Sequence, residues 1–187
     1  MLPPITLAAD MDEHLMFLCT GNAARSVMAG MMLSQLRPQT KVTTAGTHVI
    51  EGQPMSWRTR DAILGAGFEV FSHRSLQVTS AGLRDVDLLV AMAGEHVAYV
   101  RRQHPEAAAR TATLKRLCRD LAAGGPLPAR VAALGLAEVA LEPWEDIEDP
   151  AGGDLPEFVA CAAEIHELMV TLVRLLDPVP TGAQEAS

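Results

Sequence analysis

The chain has 187 residues, 49% hydrophobic and 20% charged, which excludes a disordered chain and fits one globular domain. The 15 Lys and Arg against 23 Asp and Glu leave a net charge of −8. That balance argues against nucleic acid or an anionic membrane surface as partner, while leaving room for a local basic pocket. Cysteines at positions 19, 118 and 161 show no paired spacing, and no leader-like or bilayer-length apolar run occurs, so a reduced, cytoplasmic protein is expected.

Residues 1–13 read as a flexible extension. "HLMFLC" (14–19) has the length and apolarity of a buried strand. "ARSVMAGMMLSQLR" follows with Val27, Met31, Met32 and Leu36 at helical spacing, stopped by Pro38. "KVTTAG" (41–46) is a second strand. Residues 54–66 form a helix between Pro54 and Gly65/Gly67. "DVDLLVAM" is the third strand, "AGEHVAYVRRQHPE" its following helix, and residues 111–114 a short fourth strand. An alanine-rich helix–loop–helix elaboration spans about 116–140. In the last helix, Phe158, Cys161, Ile165, Leu168, Met169, Leu172 and Leu176 share one face. A domain over 14–177 and a mobile tail at 178–187 complete the reading. The alternation of strands and helices predicts an α/β three-layer sandwich around a four-stranded parallel sheet.

In such sheets ligands sit at the carboxyl ends of the strands, which is where Cys19 falls. The next helix begins near Arg25, with its free N–H groups facing the intervening loop. Residues 20–24 can curl so that their amides converge, with Gly21 relaxing the turn, and Arg25 adds a planar fork for two phosphate oxygens. The predicted anion cradle is Thr20, Gly21, Asn22, Ala23, Ala24, Arg25 and Ser26. A helix N-terminus, a nearby cation and a hydrogen bond from Ser26 all favour a thiolate at its floor. Attack on phosphorus would give a phosphocysteine, and a carboxylic acid elsewhere must protonate the leaving oxygen. The alternative for Cys19 is a plain buried thiol at a strand end. The six histidines are scattered and no C-x-x-C occurs, so neither metal nor cofactor is expected. Arg101, Arg102, Glu145, Asp146 and Glu148 read as solvated.

"CTGNAARSVMAG" (19–30) resembles the signature of the low-molecular-weight protein tyrosine phosphatase family, matching it at Cys19, Gly21, Asn22, Arg25, Ser26, Met28 and Ala29. "TTAGT" (43–47), "GQPM" (52–55), "SHRS" (72–75), "DLLVAM" (87–92) and "DIEDP" (146–150) have counterparts there in the same order. The resemblance implies Cys19 as nucleophile, Arg25 as phosphate clamp, and Asp149 as general acid and then base. It implies that Asn22, Ser26, Thr44 and His73 support the loop, with His73 bonded to Asn22. The implied partner is a phosphorylated protein or small phosphomonoester, with inorganic phosphate or another oxyanion in the loop; the oligomeric state is left open.

The departures bear on substrate and redox behaviour. Ala24 stands where the family often carries a second cysteine, Val27 replaces its usual proline, and Gly30 its usual glutamate. The places that carry aromatic pocket walls in tyrosine-directed members read "HVIEG" and "AGG" here. In that family a bulky apolar residue at the place of Ala23 accompanies phosphotyrosine use and a smaller one phosphoarginine use, so the resemblance leaves both open here. Three readings are weighed: a phosphomonoesterase, with protein phosphotyrosine as its main substrate and phosphoarginine as an alternative; an arsenate reductase using a low-molecular-weight thiol; and a non-catalytic anion-binding module.

Overall fold

The computed structural model describes residues 13–177; the expected tail and most of the expected extension lie outside them. Four strands, β1 (His14–Cys19), β2 (Lys41–Gly46), β3 (Leu88–Ala91) and β4 (Thr111–Thr113), form an all-parallel sheet in the order β2-β1-β3-β4. β1 lies inside the sheet and is buried along its whole length, as its unbroken apolar run requires. The period of two then sorts its side chains. Leu15, Phe17 and Cys19 join the larger core on one face, and Met16 and Leu18 the smaller core on the other.

The larger core is built by α1 (Arg25–Leu36), α2 (Trp57–Gly65), α4 (Leu114–Asp120), α5 (Leu127–Ala132) and α6 (Leu155–Leu176). The opposite face is covered by α3 (Gly94–Gln103) and the loop after residue 78. Of the expected α6 face, Phe158, Cys161, Ile165, Met169, Leu172 and Leu176 are buried and Leu168 partly so. The glycine at position 30 has a packing reason: a Cβ there would lie 2.5 Å from Thr44 Cγ2, so α1 can rest on β2 only without one.

Boundaries differ from expectation where side chains compete for backbone donors. α2 starts at Trp57 rather than Pro54, because Ser56 caps it by accepting from the Thr59 amide at 3.2 Å. α3 stops at Gln103, and Pro105 opens a 3₁₀ turn over Pro105–Arg110. Arg101 is not a solvated face residue: its Nη2 donates to the carbonyls of Leu136 (2.6 Å) and Val139 (2.8 Å), pinning the chain beyond α5.

Candidate active site

The β1–α1 connection, residues 20–24, lies at the carboxyl end of the sheet and is held from every side. Thr47 and His48 amides donate to the carbonyls of Cys19 and Thr20, each at 2.9 Å. Gly46 lets β2 approach this closely, since a Cβ there would stand 2.5 Å from Thr20 O and 2.9 Å from Asn22 N. From α2, Thr59 Oγ1 donates to Ala23 O at 2.9 Å.

The sharp turn falls at Asn22, not at Gly21 as expected. Asn22 has φ +49°, a left-handed conformation that Asn tolerates better than most residues, while Gly21 is not among the positive-φ positions. Asn22 is fully buried, so its polar groups need partners. Its carbonyl accepts from His73 Nε2 at 2.8 Å, its Oδ1 accepts from the Leu76 amide at 2.9 Å, and its Nδ2 donates to Ser26 Oγ at 3.0 Å. Ser26 Oγ lies 2.9 Å from Cys19 Sγ. With one lone pair taken by Asn22, the hydroxyl hydrogen is free to point at the sulfur. The chain of donors therefore runs Asn22 to Ser26 to Cys19 and stabilises negative charge on sulfur. Burial lowers the proton affinity of His73, opposed by its bond to Asn22 and reinforced by Arg74, which suits a neutral imidazole donating through Nε2.

Arg25 is 3% exposed. Its Nη1 donates to Ile147 O at 3.0 Å, and its Nη2 meets Asp149 Oδ2 at 2.5 Å. The fold thus brings Cys19, Arg25 and Asp149 to one place, although Asp149 lies 124 residues beyond Arg25. The acid loop is anchored to the end of β3: the Ile147 amide donates to Met92 O at 2.9 Å and the Gly94 amide to Asp146 Oδ1 at 2.7 Å. Asp149 Oδ1 accepts from the Ala151 amide at 3.0 Å, which shapes the turn before α6.

One expected solvated acid turns out otherwise. Glu145 is fully buried; Oε2 accepts from Thr113 Oγ1 and Arg116 Nε, both at 2.8 Å, and Oε1 from the Glu142 amide at 2.9 Å and from Arg116 Nη2. Burial pushes its carboxyl up, but these donors outweigh it and hold it below the usual carboxylate range. Asp146 is exposed, yet it spends one oxygen on Gly94; Glu148 is exposed, as expected. Thr44 carries its methyl against α1, and among the described residues its hydroxyl makes no hydrogen bond to the loop.

Sequence reasoning missed Thr59, Glu95 and His96. His96 is 1% exposed, with Nε2 3.0 Å from Thr20 Oγ1. β3 pairs with β1, so residues just past β3 stand beside the loop just past β1, a neighbourhood that only the sheet order reveals. Among the described residues no three His, Cys, Asp or Glu side chains are grouped to hold a metal ion, and no helix is long and apolar enough to cross a membrane.

The family model for low molecular weight phosphotyrosine protein phosphatase matches residues 14–124, which includes the Cys19 loop and ends before Asp149. The low molecular weight protein-tyrosine-phosphatase Etp of Escherichia coli (strain K12) is 31% identical over 99 residues, covering 53% of this chain and 67% of that protein. The protein-arginine-phosphatase of Geobacillus stearothermophilus is 27% identical over 167 residues, covering 89% of this chain and 97% of that one. The solved YwlE arginine phosphatase from the same organism superposes with a TM-score of 0.68 at 27% identity, over 86% of this chain and 90% of its own. The Erwinia amylovora tyrosine phosphatase amsI shares the fold, with a TM-score of 0.70 at 20% identity.

Proposed function

This chain belongs to the low molecular weight phosphotyrosine protein phosphatase family, and from that premise we propose that it hydrolyses phosphomonoesters on proteins, phosphotyrosine first among them, through a phosphocysteine at Cys19. One observation carries the assignment of roles: Cys19 is hydrogen-bonded to Ser26 while Arg25, at the start of α1, reaches Asp149. In the first step the Cys19 thiolate attacks phosphorus and the P–O ester bond breaks. The leaving oxygen takes its proton from Asp149. Loop amides and Arg25, released from Asp149 by the incoming dianion, hold the equatorial oxygens. In the second step Asp149 takes a proton from water, water oxygen bonds to phosphorus, the P–S bond breaks, and inorganic phosphate and the thiolate are returned. A cytoplasmic setting suits the free thiols at 19, 118 and 161.

Phosphoarginine is the second reading, favoured by the small Ala23 in the loop and by the arginine phosphatase relative that covers 89% of this chain. Ile50 stands exposed in the loop after β2 and Ala151 follows Pro150, so neither place supplies an aromatic wall for an aryl ring. The test is turnover of p-nitrophenyl phosphate by the parent, Cys19→Ser and Asp149→Asn, followed by phosphotyrosine and phosphoarginine peptides, with arsenate plus a low-molecular-weight thiol as a further arm. Loss of hydrolysis in Cys19→Ser is expected; full activity in that variant refutes the role given to Cys19.

A further inference from the structure

The first turn of α3 reaches the Cys19 loop through a contact that its motif does not explain. His96 is buried, with Nε2 3.0 Å from Thr20 Oγ1, while Thr20 Oγ1 donates to Glu95 Oε1 at 3.3 Å. A hydroxyl has one hydrogen, so once it is given to Glu95 the oxygen can only accept from His96. With Glu95 Oε1 also 3.3 Å from His96 Nε2, the tautomer with its proton on Nε2 suits both acceptors. Nδ1 is then a bare lone pair, in agreement with its having no partner among the described residues. Burial first, and then the Arg25 charge, push the imidazole down to about 3, so the ring stays neutral beside the anion site.

Residue 20 is thereby tied on two sides. Its carbonyl accepts from the His48 amide at 2.9 Å, and its side chain is held from α3. The same turn of α3 also grips the acid loop, since the Gly94 amide donates to Asp146 Oδ1 at 2.7 Å. The residues that carry Asp149 and those that cradle the oxyanion therefore share one rigid mount.

We infer that His96 is a positioning residue for the oxyanion loop, clamping Thr20 from α3 and keeping the first loop residue in register with the acid loop. The inference rests on the Cys19 loop being the oxyanion site proposed above. Its role differs from that of His73, which supports Asn22 from the opposite side.

The test compares the parent with Thr20→Ser, Thr20→Val, His96→Phe and the Val/Phe double variant, reading orthovanadate affinity, kcat and KM for p-nitrophenyl phosphate, and thermal midpoint. Thr20→Val, which keeps the shape and loses the hydroxyl, is expected to weaken vanadate binding and kcat/KM about tenfold, with kcat carrying part of the loss. Thr20→Ser, which keeps the hydroxyl, should recover most of the vanadate affinity that Thr20→Val loses, and the double variant should fall within about twofold of Thr20→Val, because one contact is removed in both. A Thr20→Val variant that binds vanadate within about twofold of the parent overturns the clamp. So does an equal loss from Thr20→Val in the parent and in the His96→Phe background. Should His96→Phe fail to fold, the Val and Ser pair decides. Vanadate affinity needs no turnover, so a parent that binds it without hydrolysing ester refutes the proposed function and leaves the clamp measurable. A parent that binds no vanadate overturns both.

Discussion

Replacing Arg116 with methionine should destabilise the protein far more than an ordinary surface arginine would. Arg116 gives Glu145 two of its hydrogen bonds and donates a third to Ala140 O at 2.8 Å. Glu145 is fully buried, so in Arg116→Met it keeps Thr113 Oγ1 and the Glu142 amide but loses its counter-charge. Breaking a buried pair from one side costs about 3–5 kcal/mol. Arg116 lies near the surface, beside Asp120 at 3.4 Å and over Trp144, so water can partly reach the space it leaves and the low end, about 3 kcal/mol, applies. In a chain of this size that is a fall of about 6–12 °C in Tm. Urea denaturation of the parent, Arg116→Met, Glu145→Leu and the double variant measures it. The double variant should recover much of the loss, because no uncompensated charge remains. A single Arg116→Met variant within about 1 kcal/mol of the parent would refute the claim that Glu145 is a buried, paired carboxylate. Glu145 immediately precedes the acid loop, so Arg116→Met should also lower kcat for substrates with poor leaving groups more than for p-nitrophenyl phosphate.

Ser26→Ala removes the donor to Cys19 and should lower kcat about tenfold to a hundredfold, read as slower breakdown of the phosphoenzyme in pre-steady-state kinetics; an unchanged rate would deny the Asn22–Ser26–Cys19 chain its role. His96 titrates at about 3 in the fold and near 6.5 when unfolded. Between those values the unfolded state binds the extra proton, so this contribution to stability is whole above about pH 6.5 and lost as pH falls toward 3. Denaturation at pH 7 and 5 should show about 2 kcal/mol of this loss, absent in His96→Phe; equal slopes in both would contradict it. Burial raises the thiols of Cys118 and Cys161 to about 12, which makes Cys161 a poor attacking thiol although it shares a core with Cys19, and Ala24 places no second thiol in the loop, so peroxide should oxidise Cys19 without an intramolecular disulfide. A Cys19 disulfide found by peptide mass spectrometry would overturn that.

The parallel sheet and the Cys19 loop were legible because they depend on local signals: an apolar run of strand length, a small-residue loop, and helical spacing after it. The placing of Asp149 against Arg25 could be anticipated only through the family's acid-loop motif, since in the sequence it is one of several acids before a proline. Glu145 was misread for the same reason. A run of acids looks solvated, and only tertiary packing brings Thr113 and Arg116 to this one. Asn22 bonds within the loop as the resemblance implies and also takes the turn expected of Gly21, because the loop needs a left-handed residue there whose side chain can bond. Thr59, Glu95 and His96 escaped notice because their contacts with residues 20–23 cross elements that only the sheet order makes neighbours.

The most direct measurement is acid-quench mass spectrometry of the enzyme during turnover of p-nitrophenyl phosphate, with Asp149→Asn used to slow the second step. The account predicts one phosphoryl group on the peptide that carries Cys19, absent from Cys19→Ala, and rising as p-nitrophenol is released in a stoichiometric burst. Hydrolysis without any phosphorylated Cys19 peptide, or turnover retained in Cys19→Ala, would contradict it.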